Sequence, residues 1–424
     1  MSRITEDDPQ VLALAAAELL RERDYVGAAK IHRRRTEVAP DNPLAWRDLG
    51  DALNKAGLLE DAATATEHAI ALDPEDPHAF AYLAVIQRNM GDMTAALSNA
   101  EKAIGLNPGI AAHHVLHAEL LLAQGDFLAG FREYEWRLGV PEVFAPAGQS
   151  GLPMWDGAEI DGHVLLTGEQ GFGDTLQFSR FALMAAGRAA GVTFVVHAPL
   201  KSLLASLPEI TVVAFNEPVE GAFEATANIA SLPHLFGITR ESVPASVPYL
   251  RASDAAREKW HTRAPLGAGL RVGLGWRGNP SGSHDRGRSV TLDQLIPLSG
   301  IEGVTFHSLQ RDAETMELAS WPKAIHDLGT GFETFDDTAA AVSALDLVIT
   351  TDTALAHVAG ATGHPVWLLL KRWPAWRWGL DGAETPWYPT MRVFRQPETG
   401  DWESVVADAS TALQAFISDS RPPV

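Results

Sequence analysis

Two patterns of apolar and polar positions divide the sequence. Up to about Leu138, small and apolar residues return at a fixed spacing, interrupted by glycine and proline, which predicts pairs of short helices. From His163 the pattern changes to short β-branched or apolar runs separated by helical stretches. Runs at 163–167, 192–197 and 211–215 predict strands, with helices at 175–187 and 200–207. A second block repeats this grammar. Its strands are predicted at 272–276, 304–309, 324–329, 347–350, 366–370 and 391–394, with helices at 292–298, 338–345, 355–362 and 402–417. Strands alternating with helices predict parallel sheets joined by right-handed crossovers. The proline-bearing stretches 140–153 and 240–268 read as boundaries. The expected organisation is an all-α solenoid at 1–139, a linker at 140–160, one Rossmann-like domain at 161–262, a second at 268–400, and a closing helix and tail at 401–424. Two such α/β domains imply a cleft between them.

The helical part has a countable period. Pro40, Pro74 and Pro108 are 34 residues apart, as are Gly57, Gly91 and Gly125, and as are Ala28, Ala62, Ala96 and Gly130. The glycine suits the turn inside each helix pair, the small residues allow close helix approach, and the proline ends the second helix. This pattern resembles the tetratricopeptide repeat, with three well-marked copies and a weaker first one that has Arg23 at the glycine position. Stacked repeats present a concave face, so the resemblance implies a protein or peptide ligand; a purely structural array remains the alternative.

Composition narrows the classes. The chain holds no cysteine, which excludes disulfides, thiolate metal sites and cysteine catalysis. No apolar run approaches the roughly 18 residues of a membrane helix, and MSRITEDDPQ does not resemble a signal peptide, so a cytoplasmic protein is expected. A net charge of −21 argues against general nucleic-acid binding. It also makes any local group of arginines more informative.

Candidate chemistry gathers at the predicted carboxyl ends of the strands. Val348–Pro365 reads as a strand, a tight Thr351-Asp352-Thr353 turn and a helix start, which is where anions bind in open α/β sheets. Asp352 is expected to cap and shape this turn, leaving Thr353 and the following N–H groups to face an anion. The loop from Gly168 through Gln170, Gly171 and Gly173 to Asp174 is not a dinucleotide fingerprint, because its spacing differs and no carboxylate follows the second strand. Asp174 reads either as a general base or as an N-cap. After Trp276 come Arg277, Asn279, His284, Arg286 and Arg288, suited to phosphate or to ordinary surface pairing. Ser308, Leu309 and Gln310 end the next strand, where backbone groups can read a nucleobase. The stretch 371–389 holds Trp376, Trp378 and Trp387 among cations and fits either ligand stacking or packing between domains. No zinc-protease, calcium-loop, P-loop or serine-elbow motif is present.

In order, GEQGFGDTLQFSRF, VGLGWRGNP, HSLQ, LDLVITTDTALAHVAGATGHPVWLLL and ETPWYPTMRVFRQ resemble the heptosyltransferase-type glycosyltransferases. More distantly, they resemble the repeat-containing protein O-linked N-acetylglucosamine transferases. The resemblance implies a GT-B fold, a nucleotide-sugar donor, no metal or other cofactor, and inverting transfer. By position it places Asp174 as base and Thr353, Ala354 and His357 at the donor diphosphate; with the residue reading above, Gly171, Gly173, Trp276, Arg277, Asn279, Arg288, Ser308, Leu309, Gln310 and Asp352 complete the expected donor site. Gln170, Gln177, Trp376, Trp378 and Trp387 are the expected sugar or acceptor contacts. Ala354 stands where heptosyltransferases have glycine. The expectation is a protein glycosyltransferase acting on a flagellin-like acceptor held by the repeats. The alternatives are a glycan or lipopolysaccharide glycosyltransferase, a nucleotide-sugar epimerase, and a non-catalytic repeat adaptor with a degenerate nucleotide-binding domain. Oligomeric state stays open.

Overall fold

The computed structural model describes residues 7–140, 151–169, 171–263, 269–278 and 287–420. The chain divides into two compact units, Met1–Pro141 and Glu142–Val424. In the first, the described residues form four antiparallel helix pairs: α1 (Pro9–Arg21) with α2 (Tyr25–Val38), α3 (Pro43–Ala56) with α4 (Leu59–Leu72), α5 (Pro77–Met90) with α6 (Met93–Leu106), and α7 (Ala111–Gln124) with α8 (Phe127–Tyr134).

Each boundary has a local cause. Asn42 and Asp76 cap α3 and α5 by accepting from Leu44 N and His78 N, ahead of a proline in the first turn. Gly57, Gly91 and Gly125 close the first helices at φ of 83°, 90° and 90°, in the left-handed region that glycine enters without cost. Arg23 takes the same role at φ 64°. The second helices stop at Val38, Leu72 and Leu106, two residues before a proline. Ala28, Ala62 and Ala96 are fully buried between the paired helices. The repeat register read from the sequence is thus realised, and an N-terminal all-α, tetratricopeptide-like region is established.

The second unit carries two parallel sheets. The first lobe runs β1 (Ile160–Thr167), α9 (Phe172–Phe178), α10 (Arg180–Ala186), β2 (Ala189–Val196), α11 (Ala198–Leu204), β3 (Ile210–Ala214), β4 (Ala225–Asn228), α12 (Leu232–Leu235) and α13 (Asp254–His261). Its strand order is β3-β2-β1-β4. The second lobe runs β5 (Leu270–Gly275), α14 (Ile296–Ser299), β6 (Val304–Ser308), α15 (Thr315–Ala319), β7 (Ile325–Asp327), α16 (Phe335–Ser343), β8 (Leu347–Thr351), α17 (Ala354–Ala361), β9 (Val366–Leu370), β10 (Met391–Arg395) and α18 (Trp402–Ser420), in the order β10-β9-β8-β5-β6-β7. Every ladder is parallel, consistent with Rossmann-like sub-domains.

In both lobes the chain starts in mid-sheet, builds outward to one side and then crosses to the other. The order therefore reverses between β1 and β4, and between β5 and β8. The helices that follow β1 and β8, α9 and α17, start beside these reversal points, where open sheets leave a crevice. One face of the second sheet is closed by α18, with Trp276, Phe306, Trp367 and Phe394 packed against Val405, Val406 and Leu413.

Several elements depart from expectation, the helices α12, α13 and α15 among them. The single helix expected at 175–187 is two short helices, α9 and α10, meeting at Ser179. The helix expected at 292–298 is a 3₁₀ turn followed by one turn of α14, with Pro297 in its first turn. The strand β4 was not foreseen. Among the described residues, no helix is long and apolar enough to cross a membrane.

Candidate functional site

The two reversal points meet. Gly171 begins α9 and Gly173 lies in its first turn, where a Cβ would come within 2.9 Å of His357 Cδ2 and 3.9 Å of Ala354 Cα on α17. The start of α9 in one lobe thus packs directly on the first turns of α17 in the other. Gly173 is glycine because a histidine ring occupies the space of its side chain.

Asp174 serves this junction with both oxygens. Oδ2 accepts from Gly171 N at 3.2 Å as a cap, and Oδ1 accepts from Arg377 Nη2 across the lobes. Both side chains are mostly buried, 18% and 13% exposed. Of the two readings, the N-cap position belongs to Gly171; Asp174 stands at the third residue of α9, bonds back to the Gly171 N–H and pairs with Arg377, one of the cations interleaved with the tryptophans.

Beneath this pair lies Arg180, 2% exposed. Its guanidinium donates to Gln177 O at 2.9 Å, Trp387 O at 2.7 Å, Pro244 O at 3.2 Å and Tyr249 Oη at 3.1 Å. It also lies 4.6 Å from the Tyr249 ring centroid and 4.7 Å from that of Tyr388. The sequence carried a signal for it: an arginine in the otherwise apolar run Phe181–Ala186 and its preceding turn has no reason to be there unless it is buried with partners.

His357, 2% exposed, bonds Tyr388 Oη through Nδ1 at 2.8 Å and stacks on Trp378 with 5.2 Å between centroids. Burial, and then the positive charges of Arg377, Arg180 and Arg288, hold its pKa well below the usual histidine value, so the ring is neutral. The charges of three arginines are thus felt at this ring, in the first turn of α17. The cap of that helix is Thr353, not Asp352, and its side chain makes no capping bond. Asp352 is buried one residue earlier. Around the seam, three buried side chains hold polar atoms without a partner: both amide atoms of Gln177, Thr351 Oγ1 and Trp378 Nε1.

The tryptophans are packing residues. Trp376, Trp378 and Trp387 are 6%, 1% and 0% exposed. Trp376 lies 6.4 Å from the Phe178 ring, and Trp387 Nε1 donates to Arg377 O at 2.9 Å. Of the two readings for this stretch, packing between lobes describes their positions.

A second group of nominated residues forms a cluster of its own. Gln310 Oε1 accepts from the backbone N–H of Trp276 and Arg277, each at 3.1 Å, and its Nε2 donates to Arg277 O. Arg277 bonds Glu317 and Asp312. Burial alone would lower its pKa, but these carboxylates raise it. The Trp276 indole also donates to Glu317, at 2.8 Å. Leu309 N donates to Leu274 O at 2.8 Å and Ser308 O accepts from Leu328 N at 3.0 Å, so those backbone groups serve the sheet. Gln170, Asn279, His284 and Arg286 lie outside the described residues.

No protein-family model matches the chain. It is similar to Protein FlbA of Caulobacter vibrioides, with 27% identity over 438 residues, covering 96% of this chain and 72% of that one. Among solved structures it is similar to MamA (18% identity, 32% of this chain and 80% of that chain, TM-score 0.29). It is also similar to the Sgt2 TPR domain from Aspergillus fumigatus (24% identity, 26% and 76%, TM-score 0.26).

These findings correct the enzymatic expectation. Protein FlbA bears no transferase name, and no glycosyltransferase family model matches the chain. The protein is not read as a glycosyltransferase, and the nucleotide-sugar, GT-B and flagellin assignments fall with it. The geometry gives the physical reason the motifs misled. Glycines, arginines and tryptophans at strand ends look alike whether they hold a ligand or hold two lobes together.

Proposed function

We propose that this chain is a non-catalytic adaptor of the cytoplasm. Its helical array holds a protein partner, and the seam between the two Rossmann-like lobes of its second unit holds a phosphate-bearing ligand without converting it. Stacked helix pairs supply a surface for a partner. Along it, α3, α5 and α7 are linked by Arg47 to Asp76 at 2.9 Å, Asn89 to Asn54 at 2.9 Å and Arg88 to Glu119 at 3.2 Å. These half-buried groups form a polar row of mixed charge, suited to a partner with both polar and apolar side chains.

The observation that carries the ligand half is Arg180, a buried cation bonded only to neutral oxygens, which together with Arg377 is felt at His357 in the first turn of α17. An uncapped helix start and unpartnered buried polar atoms adjoin them. Calorimetric titration of the full chain with inorganic pyrophosphate tests this half. One saturable site per chain is expected, weakened at least tenfold by Arg377→Gln. No saturable binding would refute the anion site.

A further inference from the structure

Asp174 and Arg377 come from different lobes, and Arg377 is presented by a fixed turn. Its carbonyl is held by Trp387 Nε1, and Arg395 donates to Trp378 O at 2.5 Å and to Gly379 O at 3.2 Å. The guanidinium lies 5.3 Å from the Trp376 ring, and its charge is felt at buried His357, so it reaches toward the start of α17. Asp174 is differently placed. Its second oxygen keeps the Gly171 N–H whether or not Arg377 is present, so the carboxylate has a partner to fall back on.

Building on the anion site proposed above, we infer that Asp174 is an internal stand-in for the ligand's anionic group. It occupies Arg377 while the seam is empty, and an arriving phosphate displaces it. A phosphate oxygen offers the guanidinium the same geometry as a carboxylate oxygen with more charge. The exchange leaves Asp174 as an ordinary helix cap and converts a direct lobe-to-lobe ion pair into one that runs through the ligand. The contact is thus self-inhibitory: it holds the lobes together without ligand and lowers affinity by competing for the same arginine.

The test is pyrophosphate titration of the full chain carrying Asp174→Asn, which keeps a capping oxygen and removes the charge. The expected result is at least tenfold tighter binding than in the unaltered chain, with Arg377→Gln binding at least tenfold more weakly. Equal or weaker binding by Asp174→Asn, with binding intact in the unaltered chain, overturns the stand-in and leaves the anion site standing. Binding by neither protein overturns both. Should Asp174→Asn fail to fold, Asp174→Ser, which also retains a capping oxygen, carries the same expectation.

Discussion

Asp337 shows how much structural work a single residue does in the second unit. Sitting in the first turn of α16, it accepts from Lys259 Nζ and Trp260 Nε1, both at 2.7 Å, and from the backbone N–H groups of Glu333 and Thr334. Burial alone would raise its pKa, but these four donors bring it down to about 2 from an ordinary 3.8. A depressed carboxylate contributes stability that is fully present above its unfolded value and is lost as pH falls through its folded one. That contribution is about 2 kcal/mol, lost between roughly pH 4 and pH 2. Urea denaturation of the full chain at pH 7, 4 and 2.5 checks it. Asp337→Asn is expected to lower stability at pH 7 by about that amount and to flatten this acid limb. Gly173 carries a similar lesson. It was expected at the donor, and what approaches it is His357. The sequence shows that space is needed at such a position; only the fold shows what fills it.

At the level of elements, the repeats were legible because each boundary has its own local cause. Glycine, proline and small residues recur in step, and each copy reproduces the same cap and the same left-handed turn. The departure at Arg23 is legible too. The fold still imposes a positive φ there, and an L side chain in that region is strained by up to about 1 kcal/mol. Arg23→Gly is therefore expected to stabilise the helical unit by several tenths to about 1 kcal/mol, read as a raised denaturation midpoint; a lowered midpoint would show that contacts of the arginine outweigh the strain. Strands β1, β2, β8 and β9 were visible as continuous apolar runs because both sheet faces are covered. Strand β4, with the sequence Ala-Thr-Ala-Asn, was not. Four residues without alternation carry no period, and its position is set by pairing with β1 on one side and a bridge to Met154 on the other. The split between α9 and α10 was likewise hidden, since nothing local at Ser179 breaks a helix.

For the whole molecule, the candidate site was half legible. The sequence placed Gly173, Asp174, Ala354, His357 and the tryptophans near strand ends, and the fold brings them to one seam. It did not reveal that Trp276, Arg277 and Gln310 form a separate bonded cluster. Arg180 went unseen as a cation of the seam, because its partners are distant in sequence, and Arg377 was visible only as one of the cations interleaved with the tryptophans, not as the partner of Asp174. Burial places the tryptophans in the packing between lobes, while Arg180, buried and bonded only to neutral oxygens, is what supports the proposed phosphate-bearing ligand. The most direct measurement is to incubate the full chain with nucleoside diphosphates and their sugar conjugates, measure binding, and recover the ligands by chromatography. Saturable binding with every ligand recovered unchanged is the predicted result. Steady consumption of any of them, in proportion to protein and abolished in Asp174→Asn, would contradict it.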